Sequence, residues 1–232
     1  MKRVAILQSN YIPWKGYFDL ISRVDLFVFH DDLQYTKQDW RNRNRIKGPG
    51  GTRWLTVPCG ADESRRICDV ELSEPGWQAA HWRRIVASYR RAPFFANFAP
   101  ELEGFYLGRQ WRTLSELNQF LITHIAREWL QLGAEFRDSR EFDLTERKAE
   151  RVLQLLGRTG ATHYLSGPAA KAYLDEASFA RAGTALEWMT YGPYLEYPQL
   201  YPPFEHEVTV LDLLFHTGPD ARRYINAEPI ER

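Results

Sequence analysis

The sequence predicts an α/β fold: a Rossmann-like parallel sheet with a β-hairpin insertion and an added helical region. Three observations predict it. Val4-Ala5-Ile6-Leu7 is a short apolar run that turns polar at Gln8-Ser9-Asn10, and Leu26-Phe27-Val28-Phe29 repeats the pattern, ending on His30-Asp31-Asp32. Between them Tyr17, Leu20, Ile21 and Val24 share one helical face. Further along, strand-like and helix-like segments alternate, the pattern of parallel sheets, whose ligands bind beyond the carboxyl ends of the strands.

Pro13 favours a helix start, so the first helix is placed at 15–23. The segments 42–47 and 52–58 flank Gly48-Pro49-Gly50-Gly51 and read as a hairpin with a longer Gly-containing turn. Alternation over 67–72 suggests another strand. Ser73-Glu74-Pro75 signals a helix through about Tyr89, and Pro93-Phe94-Phe95 breaks it. A short helix follows at 100–107. A long one is placed at 113–132, where Leu114, Leu117, Leu121, Ile125 and Trp129 repeat at helical spacing. Residues 135–137 are too few to assign. A helix at 145–156 would take its cap from Asp143 or Thr145. Strands at 162–165 and 184–189 bracket a helix at 169–174, and two short helices near 208–215 and 219–224 follow an aromatic loop at 191–204. With no repeat or linker, residues 1–232 read as one domain, with about 75–150 mainly helical.

Thirty Lys+Arg balance thirty Asp+Glu, which disfavours a broad nucleic-acid or membrane field. No apolar run has the length of a membrane span. Cys59 and Cys68 form neither a disulfide framework nor a metal knuckle, so a cytoplasmic, reducing setting is expected.

Candidate site residues cluster after strand ends. Gln8, Asn10, Lys15, Gly16 and Tyr17 surround the first helix start, where amides can cradle an anionic or polar group, and Tyr11 and Trp14 add large rings. The plainer reading is an ordinary strand-to-helix connection. Asp31 and Asp32 can hold a cation or bond sugar hydroxyls; alternatively one caps a turn and the other faces water. After Gln34, the stretch Lys37, Trp40, Arg41, Asn42, Arg43, Asn44, Arg45 places Arg41, Arg43 and Arg45 on one strand face and the asparagines on the other. Guanidinium forks beside a Trp suit phosphate or carboxylate, although a solvated hairpin face has the same composition. Ser166, Gly167, Lys171 and Tyr173 repeat the strand-then-helix arrangement, and Gln199, Glu205, His206 and Asp212 lie near the end of the chain. There is no nucleophile elbow, Walker loop or zincin motif. The residues alone thus point to an α/β protein that binds something polar or phosphorylated.

The stretches ILQSNYIPWKGYFDLI, DDLQYTKQDWRNRNRIK, YLSGPAAKAYLD and VLDLLFHTGPDA resemble the WbqC-like protein family, small proteins often encoded with bacterial polysaccharide (O-antigen) biosynthesis genes. The resemblance spans nearly the whole chain and is least distinctive over about 75–150. It implies modification of a sugar nucleotide or amino sugar, with an amino-acid or acyl substituent. The layout is also similar to that of the nucleotidylyltransferase and pantothenate-synthetase superfamily, which carries paired histidines around a Gly at the first helix start. At Trp14-Lys15-Gly16-Tyr17 the Gly is present and both histidines are missing. ATP with magnesium therefore requires Lys15 and the Arg41–Arg45 face to supply the missing charge, and the cofactor stays open.

The expectation is a transferase or ligase of polysaccharide or specialised-metabolite biosynthesis, joining a small acyl or aminoacyl group to an amine. Its partners would be small molecules, a sugar nucleotide or a carrier-bound acyl group, without membrane or nucleic acid. Lys15, Asp31 and Asp32 are the expected catalytic groups, with no metal site. Gln8, Asn10, Tyr11, Trp14, Gly16, Tyr17, Gln34, Lys37, Trp40, Arg41, Asn42, Arg43, Ser166, Gly167, Lys171 and Gln199 would bind substrate. The alternative is a non-catalytic binding or scaffolding protein on a decayed transferase fold.

Overall fold

The computed structural model describes residues 1–226. Its strands are β1 (Arg3–Leu7), β2 (Leu26–Phe29), β3 (Arg43–Gly48), β4 (Gly51–Thr56), β5 (Glu135–Asp138), β6 (His163–Ser166) and β7 (Ala185–Trp188). Five of them form an all-parallel sheet in the order β5-β2-β1-β6-β7, and β3 and β4 form a separate antiparallel hairpin. The winding reverses beside β1, as in doubly wound α/β folds. The helices are α1 (Lys15–Ser22), α2 (Trp77–Tyr89), α3 (Phe95–Leu107), α4 (Leu114–His124), α5 (Lys148–Thr159), α6 (Glu176–Arg181), α7 (Val210–Thr217) and α8 (Arg222–Ile225). No helix among the described residues is long and apolar enough to cross a membrane.

The apolar runs of β1 and β2 are buried on both faces, as a parallel sheet covered on two sides requires. Strand alternation sends Val4, Ile6, Leu26 and Val28 against Val152, Leu155 and Leu156 of α5 and Phe179 of α6. Ala5, Phe27 and Phe29 face the other way, onto Tyr17, Phe18, Leu20 and Ile21 of α1. That second core continues through Ile46 and Leu55 of the hairpin into α2, α3, α4 and α7. The central pair is unequal. β1 pairs with β2 as far as Leu7, but with β6 only at Arg3 and Val4. Beyond Val4 the two strands separate, and the sheet opens where its winding reverses.

Several elements differ from expectation for identifiable reasons. Ile67–Asp69 is a 3₁₀ turn rather than a strand, because its amides bond to the segment after β2 (Ile67 N to Leu33 O, 2.9 Å; Cys68 N to Asp31 O, 2.9 Å). The hairpin ladder reaches Gly48 and Gly51, leaving only Pro49 and Gly50 in the turn. α3 begins at Phe95 and carries Pro100 inside it, since Phe95 and Phe98 both pack on Phe215. α4 ends at His124 and is followed by a π turn, Ile125–Trp129, which seats Trp129 against Phe98 and His124. α5 begins at Lys148, not at 145. Asp143 stands in a left-handed conformation there, and the Gln154 side chain accepts the amides of Thr145 and Glu146 (3.0 and 3.1 Å). The segment 169–174 is a 3₁₀ helix, Pro168–Ala172, and α6 and β5 are elements the pattern did not reveal.

Candidate functional site

The opening between β1 and β6 leads into a cavity of about 550 Å³. Its floor is apolar, made by Ile6, Leu7, Val152, Tyr164 and Ala170, and Gln8, His30, Ser166 and Gly167 stand on its rim at three strand ends. The first turn of α5, from Lys148 to Arg151, closes one side. No side chain among the described residues caps that turn: the Arg151 amide bonds the Arg147 carbonyl (3.2 Å), and the amides of Lys148, Ala149 and Glu150 are left for an anion. Lys148 has φ +52°, a conformation costly for a residue with a side chain and commonest where function imposes it. Tyr173, 67% exposed, offers its ring at the mouth.

Charge at the rim is mixed. The Arg151 guanidinium pairs with Asp32 and donates through Nε to His30 Nε2 (3.2 Å). That bond makes Nε2 an acceptor and leaves the ring proton of His30 on Nδ1. Burial, opposed by Asp32 and aided by the Arg151 charge, brings His30 down to about 4, so the ring is neutral near pH 7. Ser139 Oγ donates to the other Asp32 oxygen (2.6 Å). Asp31 points the opposite way and is fully buried. It accepts from Ser9 N (2.8 Å), Ser115 Oγ (2.5 Å) and Gln119 Nε2 (2.9 Å), tying the loop after β1 to α4. Burial pushes its carboxyl upward while these bonds pull it down. The two adjacent carboxylates therefore diverge and share no ligand position.

The loop from Gln8 to Trp14 is held rigidly from below. Ile12 has φ +37°, an unfavourable conformation for a β-branched residue, and Asn44 Nδ2 binds the carbonyls of Tyr11 (3.1 Å) and Ile12 (2.8 Å). The buried Tyr11 hydroxyl bonds His81 Nδ1 (2.8 Å) and Tyr106. His81 Nε2 faces the Thr56 carbonyl at 3.1 Å and must carry the ring proton, so Tyr11 donates to Nδ1 and accepts from Tyr106. Tyr17 donates to the Gln8 carbonyl (2.9 Å). Gly16 lies directly beneath Trp14: a Cβ there would stand 2.3 Å from the indole. The start of α1 is thus roofed by a ring, not open as an anion cradle.

The remaining expected residues separate into distinct places. Lys15 is buried beneath the 191–204 loop. Its ammonium lies 5.1–5.5 Å from the Tyr194, Tyr197 and Phe204 rings and donates to Leu195 O (3.3 Å). Burial lowers it from 10.5 to about 8, against the pull of Asp212 and Glu196. Gln199 joins Asp212 (2.9 Å) and Lys47 (2.5 Å) in the same buried network. Gln34 and Lys37 bind Glu63, and Lys171 sits over Trp188. Asn42 is buried, donating to Val57 O (3.0 Å). Asn10, Trp14 and Trp40 line a second pocket of about 230 Å³; Arg43 begins the hairpin strand that contributes Asn44 to it, and Arg41 lies in the turn before that strand. Of the expected set, Gln8, Ser166 and Gly167 line the larger cavity, and Asp32 reaches it through Arg151. His30, Lys148 and Arg151 were missed. His30 carried a signal, as a polar residue directly ending β2. Lys148 and Arg151 carried none, since charged residues in the first turn of a surface helix are ordinary.

The model of the WbqC-like protein family matches residues 8–224. An uncharacterized protein of Mycobacterium tuberculosis is 43% identical over 227 residues, 97% of this chain and 98% of its own length. No solved structure matches.

Proposed function

This chain belongs to the WbqC-like protein family, and from that premise we propose a transferase or ligase that joins a small acyl or aminoacyl group to an amine, such as that of an amino sugar, in polysaccharide or specialised-metabolite biosynthesis. The observation that carries the proposal is the uncapped start of α5 facing a cavity where the sheet winding reverses. The amides there suit a phosphate or carboxylate of the donor, and the apolar floor suits its acyl portion or a ring. Asp32 and Glu150 balance Arg151 and Lys148 around the mouth, a mixed lining that suits an anionic donor together with an ammonium-bearing acceptor.

His30 is too weak a base at neutral pH to deprotonate an ammonium, and Lys15 and Asp31 face elsewhere. The chemistry assigned to these residues is therefore positioning. An acyl group already activated, as a thioester or acyl phosphate, is held beside the acceptor. The fraction of acceptor that has lost its ammonium proton to solvent attacks the acyl carbon, and the C–S or C–O bond breaks. The thiolate or phosphate leaves and takes up the second amine proton, and proximity supplies the acceleration. The commitment of Asp31, Asp32 and Lys15 to internal partners also favours the alternative of a binding protein without turnover.

Acyl-CoA, UDP- and dTDP-sugars, and ATP with magnesium should be screened by thermal shift, and hits incubated with amino-sugar acceptors and analysed by mass spectrometry. Ala149→Asp is the control. It places a carboxylate at the start of α5, where it favours the helix but occupies the anion position. Lost binding is expected in a chain that still unfolds cooperatively, with any fall in Tm set by the half-buried position of Ala149 against the sheet core. Wild-type ligand binding in Ala149→Asp would refute the cavity assignment, and binding without product would select the non-catalytic reading.

A further inference from the structure

The outer face of the hairpin carries an arrangement that the cavity does not use. Arg43, Arg45 and Trp54 share it, because Arg45 is directly opposite Trp54 in the register and Arg43 lies diagonally across. The Arg43 guanidinium sits 4.3 Å from the Trp54 ring and that of Arg45 sits 5.8 Å away. Trp40 adds a second indole, 5.5 Å from Trp54, and the two are 46% and 41% exposed. Arg41 is paired with Asp39, and Arg45 with Glu207 at 2.7 Å. Arg43, between them, has no anionic partner among the described residues; the buried Nε of all three arginines lacks a hydrogen bond, so it is through its two terminal nitrogens that Arg43 is left available. A stacked guanidinium with a free fork is suited to a phosphate.

The second pocket adjoins this platform through Trp40 and Glu207. Trp14, Trp40 and Pro13 give it flat apolar walls, and Asn10, Asn44 and Glu207 give it polar groups. At about 230 Å³ it is smaller than the roughly 300–1,000 Å³ of drug-sized sites, a size for one ring. The Gln8–Trp14 loop contributes to both, Gln8 to the cavity and Asn10, Pro13 and Trp14 to this pocket.

We propose that this face is a second ligand site for a phosphorylated ring compound, with the ring between Trp14 and Trp40 and the phosphate on Arg43. The site stands independently of the cavity reading. Sugar phosphates and nucleotides share the chemistry.

The test uses the full chain and the fluorescence of the exposed indoles. Glucose 1-phosphate, UDP, UDP-glucose and inorganic phosphate are titrated separately, with calorimetry as the second readout. A ring phosphate should bind at least tenfold tighter than inorganic phosphate. Arg43→Gln and Trp40→Ala should each weaken it at least tenfold, with little change in Tm because Trp40 is exposed and the half-buried Arg43 makes no ion pair that its loss would break. Ala149→Asp should leave it unchanged. A response to glucose 1-phosphate places the sugar in the pocket, and a response to UDP alone places the base there. Binding that survives Arg43→Gln, or is lost in Ala149→Asp, overturns the proposal. So does the absence of binding by any probe, or tighter, steeply salt-dependent binding of a single-stranded oligonucleotide, which would make the platform a nucleic-acid surface.

Discussion

His81 offers a quantitative test of how the Gln8–Trp14 loop is held. Its ring receives the Tyr11 hydroxyl on Nδ1 and donates to Thr56 from Nε2, so only the neutral form fits. Burial brings its pKa down to about 4 from an unfolded value of 6.5. Between those values the unfolded chain holds a proton that the native chain does not, and stability must fall as pH drops from 6.5 toward 4. At 1.36 kcal/mol per pH unit the full effect is roughly 3 kcal/mol. Urea unfolding of wild type and His81→Asn at pH 7, 6, 5 and 4.5 measures it. Asn keeps an acceptor near Nδ1 and cannot titrate. His81→Asn should be less stable at pH 7, by about 1–3 kcal/mol for the unpaired Thr56 carbonyl and the lost packing, yet show the shallower acid dependence. The upward-shifted Asp31 acts with the opposite sign in both proteins and cancels in the comparison. Parallel curves for the two proteins would refute the assignment of His81 as a neutral tether.

Lys15 titrates in the alkaline range with the same sign as His81, since burial lowers both and the native chain gives up a positive charge. Its lowered value of about 8 means that the native chain releases the proton before the unfolded chain does, so stability should rise between pH 8 and 10.5. Lys15→Met should reduce that rise without lowering Tm at pH 7, leaving the part that belongs to Lys47, which burial also lowers; an undiminished rise would show that Lys15 is not responsible. Gly16→Ala should cost about 1–3 kcal/mol, because its methyl meets the Trp14 indole at 2.3 Å. An unchanged Tm there would mean that the indole moves freely. The Ala149→Asp and Arg43→Gln variants separate the two candidate sites: each should silence its own ligand and spare the other's.

Much of the frame was legible in the sequence, because β1 and β2 are apolar on both faces and a helical stripe connects them. The hairpin face split was legible for the same reason: period-2 alternation puts Asn42 and Asn44 inside and Arg43 and Arg45 outside. β5 was not legible. Glu-Phe-Arg-Asp is a half-exposed edge strand, and its polarity hides its pairing with β2.

The site was harder to read because its decisive contacts are remote in sequence. Asp31 and Asp32 are chemically alike and adjacent, and alternation alone sends them to opposite sides. What each one does is set by Ser115, 84 residues away, and by Arg151, 119 residues away. The anion cradle makes the same point. A polar turn after a strand followed by a helix start marks α1 as readily as α5. At α1 the Trp14 ring covers the first turn over a glycine. At α5 the Gln154 side chain is committed to the amides of Thr145 and Glu146, and the turn that follows is left bare beside the strand ends. Local pattern supplies helix starts at strand ends; which one stays open to a ligand depends on the side chains that fold across it.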